Sequence, residues 1–172
     1  MADAVVLDRV ELVRVTEDKW QVYRDVRLAA LIDSPRAFWS TYASAAARTD
    51  EQWLDFIATG PTTWLAVDGD RPLGTVGLWR GPDLADDVIA LIGMWVPTVA
   101  RGTGVAELLV RRALGYARAE GFSQVILEVA DENGRAAAFY ERLGFRATGV
   151  TGAMPWDPDV TEREMVRDLS VP

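Results

Sequence analysis

A strand, a loop with two closely spaced glycines and a long helix follow one another between residues 91 and 120. The segment reads LIGMWVPTVARGTGVAELLVRRALGYARAE, with an apolar run before Arg101-Gly102-Thr103-Gly104 and an amphipathic pattern after it. Glycines at a strand-to-helix joint allow backbone N–H groups to come close to a ligand. The first turn of the helix adds unpaired N–H donors and the positive end of its dipole. The segment therefore predicts a loop that binds a phosphate group.

The glycine loop by itself does not identify its ligand. It is not a P-loop, because no Gly-Lys-Ser/Thr sequence closes it. It also departs from the dinucleotide-binding fingerprint, because Glu107 stands where the third glycine belongs. A dinucleotide-binding oxidoreductase is disfavoured for this reason, and an ordinary tight turn before a helix is the alternative interpretation.

Composition limits the classes of protein to which the chain can belong. Its 172 residues, 49% of them apolar, predict one globular domain over residues 1–172. The formal net charge of −8 argues against nucleic acid or an anionic membrane as a partner. The N-terminus has charges where a signal peptide needs an apolar core, and no apolar run is long enough to span a bilayer. We therefore expect a cytoplasmic protein.

Two residue types that carry much of enzyme chemistry are absent. The chain has no cysteine and no histidine, which excludes thiolate metal sites, a cysteine nucleophile, a Ser-His-Asp triad and an HExxH zinc site. No metal site is predicted. Any proton transfer has to use Glu, Asp, Tyr, Lys or water.

Hydrophobic periodicity predicts a mixed α/β architecture. Strands are expected over residues 5–15, 62–67, 73–79, 88–96, 123–129, 145–150 and 162–169, and helices over residues 16–33, 51–59, 105–120 and 133–143. Residues 36–49 are interpreted as a loop or broken helix, and residues 152–159 as a loop. Asp50 is the expected cap of the second helix. This order is neither a regular β-α alternation nor a sandwich, and it predicts a mixed sheet with helices on both faces.

A second motif follows the glycine loop after one helix and one strand. Residues 133–145 read NGRAAAFYERLGF. This segment and the glycine loop together resemble the paired motifs of the GCN5-related N-acetyltransferases. The matching residues are Arg101, Gly104 and Ala106 in the loop and Asn133, Ala136, Phe139, Tyr140, Gly144 and Phe145 in the segment. The order of elements is similar along nearly the whole chain. The resemblance implies the acyl-CoA N-acyltransferase fold, a mostly antiparallel sheet of about seven strands flanked by helices.

The resemblance also implies acetyl-CoA as cosubstrate. Its pyrophosphate would lie on the glycine loop, and its pantetheine would pair with the strand end as an added strand. Tyr140 would be the general acid that protonates the leaving thiolate, although an inward tyrosine on a helix can also be purely structural. Asn133 would contact the cosubstrate and also cap its helix. The expected cosubstrate-binding residues are Met94, Trp95, Val96, Arg101, Gly102, Thr103, Gly104, Val105, Ala106, Asn133, Phe139 and Tyr140. Arg135 and Arg142 flank the motifs and could offset phosphate charge.

Glu128 is the leading candidate for the general base. It interrupts an apolar strand five residues before Asn133, and the chain has no histidine to take this role. An ordinary solvent-facing strand residue and a water relay are the alternatives.

The acceptor is expected to be a primary amine on a small molecule or a peptide, attacked directly in a ternary complex because no cysteine can form an acyl-enzyme. A non-catalytic acyl-CoA-binding module is the alternative function, and a homodimer is one assembly that stays open. Aromatic residues beside acidic ones suit a cation. The candidates for the acceptor pocket are Phe38, Trp39, Tyr42, Glu51, Asp55, Trp79, Trp95 and Trp156.

Overall fold

A single seven-stranded mixed sheet forms the centre of the molecule in a computed structural model that describes residues 5–170. Its strand order is β1-β2-β3-β4-β5-β7-β6. The strands are β1 (Glu11–Arg14), β2 (Thr62–Asp68), β3 (Arg71–Trp79), β4 (Val88–Trp95), β5 (Gln124–Ala130), β6 (Arg146–Met154) and β7 (Asp157–Asp168). The prediction of a mixed, mostly antiparallel sheet is confirmed, and β4 lies at its centre as its continuous apolar sequence indicated.

The sheet splits between β4 and β5. These strands form the parallel pair of the sheet, and their pairing covers only Val88–Ala90 against residues 124–126. Beyond Ala90, β4 continues to pair with β3, and β5 continues to pair with β7. The facing edges of β4 and β5 are therefore unpaired from residues 91 and 127 onward.

Helices cover both faces of the sheet, as predicted. The helices are α1 (Trp20–Asp33), α2 (Tyr42–Ala46), α3 (Asp50–Thr59), α4 (Val105–Ala119) and α5 (Gly134–Arg142). The main core lies under α4 and α5, where Trp64, Leu109 and Val125 are fully buried. A second core on the other face joins α1–α3 to Leu65, which is the neighbour of Trp64 on β2. Because side chains alternate along β2, Trp64 packs in the first core and Leu65 in the second.

A bulge in β4 lies beside the split. Trp95 pairs with Thr75 and Ile92 pairs with Gly77, so two residues of β4 face one residue of β3. One of the two is Gly93, whose φ of +60° is a conformation that side chains disfavour. The bulge bends β4 shortly beyond Ala90, where its pairing with β5 ends.

Three local predictions were wrong. The first strand is shorter than expected, because residues 7–9 form a 3₁₀ turn and pairing begins at Glu11. Thr49, not Asp50, caps α3: its hydroxyl accepts from Gln52 N–H at 3.3 Å, and the Gln52 side chain accepts from Thr49 N–H at 2.9 Å. Residues 152–159 are mostly strand, and only residues 155–156 form the turn between β6 and β7.

Residues 36–49 form a broken segment, as predicted, with a 3₁₀ turn at Pro35–Ala37 and the short helix α2. Across the described range of 5–170, no helix combines the length and apolar character needed to cross a membrane.

Candidate active site

A cleft of about 850 Å³ opens beside the unpaired edge of β4. The end of β4, the glycine loop, the first turn of α4, the helix α5 and the loop after α1 form its walls. Ten of the twelve predicted cosubstrate-binding residues line it: Met94, Trp95, Val96, Arg101, Gly102, Gly104, Ala106, Asn133, Phe139 and Tyr140. The fold therefore brings the two sequence motifs together around one cavity.

The glycine loop adopts the conformation that close approach to a ligand requires. Gly102 has a φ of +79° and Gly104 a φ of +97°, both in the region that favours glycine. The first hydrogen bond of α4 runs from Leu108 N–H to Gly104 C=O at 3.1 Å. The N–H groups of the preceding turn, up to Glu107, therefore have no partner within the helix. A phosphate group fits this arrangement because these donors and the helix dipole both favour negative charge.

Two loop residues contribute only their backbones to the cleft. The hydroxyl of Thr103 donates to Ala100 C=O at 2.7 Å, which fixes the turn. Val105 is fully buried in the core beneath the loop. The side chains of Thr103 and Val105 therefore hold the loop in place from behind.

Arg101 is anchored to the end of α1. Its guanidinium forms an ion pair with Asp33 and donates from Nε to Val96 C=O at 3.2 Å. Asp33 also accepts from the indole N–H of Trp95 at 3.0 Å. The Trp95 hydrogen bond is the main cause of the lowered pKa of Asp33, and Ser34 and Arg101 lower it further. Asp33 thus ties the strand end and the glycine loop to the same helix terminus.

Tyr140 lies on the α4/α5 side of the sheet. It is 8% exposed, lines the cleft, and packs edge-on against Phe145 with ring centroids 5.6 Å apart. Burial raises the pKa of its phenol well above the ordinary value of 10.0. Tyr140 is therefore protonated at neutral pH and can donate a hydrogen bond into the cleft. Asn133, before α5, accepts from Ala136 N–H at 3.2 Å, so it caps the helix while it lines the same cavity.

Glu128 lies on the opposite face of the sheet. Its neighbours Leu127 and Val129 point into the core under α4 and α5, so Glu128 points toward the α1–α3 side. Glu164 is directly opposite it on β7. Partial burial is the main cause of its raised pKa, and the nearby charges of Glu162 and Glu164 raise it further. A carboxylate with a raised pKa is a stronger base than an ordinary one.

Glu162 is a candidate that sequence reasoning missed. It is only 4% exposed, and its carboxylate accepts from the indole N–H of Trp39 at 3.0 and 3.1 Å. Burial raises the pKa of Glu162, and the Trp39 hydrogen bond opposes this effect. The available signal was an acidic residue at the start of the last predicted strand. Glu128, Glu162 and Glu164 share one face of β5 and β7, but no group in residues 5–170 is arranged to hold a metal ion.

The loop of residues 34–39 forms part of the wall of the cleft and also contacts the face of the sheet that carries these carboxylates. Phe38 lines the cleft, and its C=O accepts from the indole N–H of Trp156 at 2.7 Å. Arg36 pairs with Glu132 at 2.7 Å, next to Asn133. Three contacts therefore fix this loop to β7, to the turn before it and to the start of α5.

The candidate acceptor residues do not form one pocket. Phe38 and Trp95 line the main cleft, and Trp39 and Trp156 fix its wall. Trp79 and Asp55 line a separate cleft between α3 and the outer part of β3 and β4. Tyr42 and Glu51 are exposed on α2 and α3.

Residues 25–145 match the model of the Acetyltransferase (GNAT) family. The matched region contains the glycine loop, the split strands and α5, which are the parts that build the cleft. The chain belongs to the GNAT family.

Known GNAT and acetyltransferase proteins are similar to it in sequence and fold. N-acetyltransferase 8B of Homo sapiens is 32% identical over 123 residues, covering 69% of this chain and 54% of that protein. Mycothiol acetyltransferase of Beutenbergia cavernae is 33% identical over 137 residues, covering 78% of this chain and 44% of that protein. The chain thus spans about half the length of the curated relatives it matches. The structure of yncA from Salmonella typhimurium with its cofactor acetyl-CoA has the same fold, with a TM-score of 0.76, 14% identity and coverage of 93% and 94% of the two chains.

Proposed function

We propose that this GNAT chain transfers the acetyl group of acetyl-CoA to an amine while both substrates are bound. One observation carries the proposal. The unpaired edge of β4 lies in the same cleft as a helix terminus with free N–H groups and a buried, protonated Tyr140. That combination suits an extended thioester with a pyrophosphate at one end and a thiolate leaving group at the other.

The cosubstrate would follow the cleft from the glycine loop toward the split in the sheet. Its pyrophosphate would accept hydrogen bonds from backbone N–H groups between Gly102 and Ala106. Its pantetheine would pair with the free edge of Met94, Trp95 and Val96, because β5 leaves these backbone groups unpaired. The bulge at Gly93 turns backbone groups out of the regular ladder, and an N–H there would stabilise the oxyanion that develops on the thioester carbonyl.

Tyr140 would stabilise the leaving thiolate. A thiol has a reference pKa of about 8.5, whereas burial keeps the pKa of Tyr140 above that of an ordinary phenol. Complete proton transfer from this phenol to the thiolate is therefore uphill. The larger part of its contribution is the hydrogen bond that it donates as negative charge develops on sulfur.

The proton of the amine would leave on the other face of the sheet. Glu128 lies there with a raised pKa, and Glu162 lies beside it. An amine with a pKa near 10 arrives protonated and has to lose a proton before it attacks. We propose Glu128 as the base, with a water relay as the alternative. The acid and the base would then act from opposite sides of the gap between β4 and β5.

The acceptor is proposed to be a primary amine on a small molecule or a peptide, and the chain is proposed to act as one cytoplasmic domain. Titration calorimetry with acetyl-CoA and detection of released thiol with a panel of amines and peptides test the function. We expect saturable binding and amine-dependent thiol release. Binding without thiol release for every acceptor would instead support a non-catalytic acyl-CoA-binding module. Absence of binding would contradict both.

A further inference from the structure

Arg27 is a half-buried cation that lies against an aromatic ring. It occupies the inward face of α1, and its guanidinium carbon lies 4.5 Å from the centre of the Phe38 ring. Its Nη1 atom is inaccessible to solvent and has no hydrogen-bond partner within residues 5–170. Burial lowers the pKa of Arg27, and repulsion from Arg48 lowers it further.

An enclosed guanidinium nitrogen without a partner is costly unless an anion completes its hydrogen bonding. A buried charge normally has a counter-charge, because removal from water costs several kcal/mol. This chain has 26 acidic residues, yet none of its described carboxylates lies within ion-pair distance of Arg27. Tyr23 opposes the lowering of the Arg27 pKa, whereas the other charge that acts on it belongs to a second cation, Arg48. The site therefore suits a negatively charged group supplied from outside the chain.

The free nitrogen of Arg27 lies next to the place where β4 leaves β5. A Cβ built on Gly93 would have Arg27 Nη1 at 3.8 Å and no other described heavy atom within 4 Å. Gly93 precedes Met94, and both Met94 and Phe38 line the main cleft. The guanidinium thus lies beside the bulge of β4, next to the strand edge along which the thioester is proposed to bind.

Charges of the opposite sign lie on the same face of the sheet. Trp39, adjacent to Phe38, hydrogen-bonds Glu162, and Glu128 lies on the neighbouring strand. A small molecule that carries an amine and a carboxylate can therefore direct its amine toward these glutamates and its carboxylate toward Arg27. Arginine is suited to this because its planar guanidinium binds a carboxylate through two parallel hydrogen bonds.

We propose that the acceptor is an amine that carries its own carboxylate, as an amino acid does, and that Arg27 binds this carboxylate. The inference rests on the proposed acetyl transfer and specifies its substrate class. Arg27 is then a specificity-determining residue, since it contacts the part of the acceptor that does not react.

Matched acceptors test this assignment. Thiol release would be measured with a panel of L-amino acids, each compared with its carboxamide and with its decarboxylated amine. For the unmodified protein we expect kcat/KM to be about 10- to 100-fold higher for the best acids than for their neutral-ended counterparts, the usual range for a hydrogen-bonded ion pair. In Arg27→Gln the preference should nearly disappear, mainly through a higher KM for the acids. Arg27→Lys should restore part of it.

The control is Arg24→Gln, one turn earlier on the same helix. Arg24 also lies over an aromatic ring, that of Trp20, but it is paired with Asp25. This variant should keep the preference. The melting temperature of Arg27→Gln should be unchanged or higher, because the substitution removes a charge with an enclosed, unpartnered nitrogen. Its affinity for acetyl-CoA should be unchanged, because Arg27 is not among the residues that line the cosubstrate cleft.

The possible outcomes separate the inference from the proposed function. Equal kcat/KM for the acids and the decarboxylated amines, or turnover only of the latter, would overturn the role of Arg27 and leave acetyl transfer intact. A preference that persists in Arg27→Gln would do the same. Absence of thiol release with every amine, despite acetyl-CoA binding, would overturn the proposed function and this inference with it.

Discussion

The indole N–H of Trp39 donates to both carboxylate oxygens of Glu162, although the two residues are 123 positions apart in the chain. This bond joins the loop after α1 to β7, across the face of the sheet on which the acceptor is proposed to bind. Glu162 is almost completely buried, and this burial raises its pKa above the ordinary value of 4.5. The wall of the acceptor side therefore includes a carboxylate whose ionisation works against the folded state.

The stability of a Glu162→Gln variant should change with pH relative to the parent protein. Because the folded pKa of Glu162 is raised, the folded state binds its proton more tightly than the unfolded state. Its contribution is fully favourable below pH 4.5 and is lost as pH rises through the folded pKa. The melting temperature of Glu162→Gln minus that of the parent should therefore increase from pH 4.5 upward and then level off. Glu51→Gln, at an exposed position on α3, is the control, and a flat difference for Glu162→Gln would contradict the prediction.

Gly102→Ala should weaken the binding of acetyl-CoA by about tenfold or more, equivalent to about 1.4 kcal/mol. A Cβ at this position meets no protein atom within 4 Å, so it would occupy open space beside the cleft. The left-handed φ of Gly102 adds backbone strain of about 1 kcal/mol. Gly69→Ala is a matched control, because Gly69 has a positive φ and open surroundings in the β2–β3 turn. Calorimetry should show reduced affinity in the first variant only.

Tyr140→Phe should lower kcat by about 10- to 1000-fold, within or just below the usual range for an acid catalyst. The substitution removes only the hydroxyl and keeps the ring that packs against Phe145. The free energy of unfolding should stay within about 1 kcal/mol of the parent value. Tyr116→Phe, which keeps the ring contact with Trp64 in the core, should leave kcat unchanged. Undiminished turnover in Tyr140→Phe would make Tyr140 a packing residue.

Glu128→Gln should lower kcat/KM most at pH values where the amine is still protonated. The deficit should shrink as the pH approaches the pKa of the amine, because solution then supplies the neutral nucleophile. Glu164→Gln is the informative companion variant. It removes one of the charges that raise the pKa of Glu128, so the acidic limb of its pH–rate profile should move to lower pH. If the pH–rate profiles of both variants match the profile of the parent protein, proton removal is assigned to a water relay.

The sequence predicted the parts of the structure that local rules determine. The glycines of the phosphate loop, the apolar run of β4 and the periodicity of α4 each indicated their element, because backbone conformation or burial depends there on neighbouring residues. The prediction of a loop at residues 152–159 was wrong, since Pro155 and Pro158 suggested an interruption that the structure limits to the turn. Pro158 is tolerated in β7 because it lies where the register with β6 shifts, so no ladder hydrogen bond is lost.

The acceptor side was harder to predict because its contacts join distant segments. Nothing near Glu162 in the chain indicates that Trp39 will bury it. In the sequence, Arg27 is a charged residue on an apolar helix face. A surface arginine can occupy the same position, because its long side chain can extend to solvent. Only the packing of Phe38 and the bulge at Gly93 show that its guanidinium turns inward and that its Nη1 atom is enclosed.

The short pairing between β4 and β5 has a consequence for the behaviour of the protein in a cell. Three residue pairs join the two halves of the sheet, so the amide hydrogens at residues 91–95 and 127–130 that point into the gap should exchange with solvent more readily than the paired ones at residues 88–90. A cosubstrate that occupies the gap supplies the missing strand from outside and slows this exchange. Since ligand binding to the folded state adds stability in proportion to the logarithm of ligand concentration, the resistance of this chain to unfolding and proteolysis should rise and fall with the supply of acetyl-CoA.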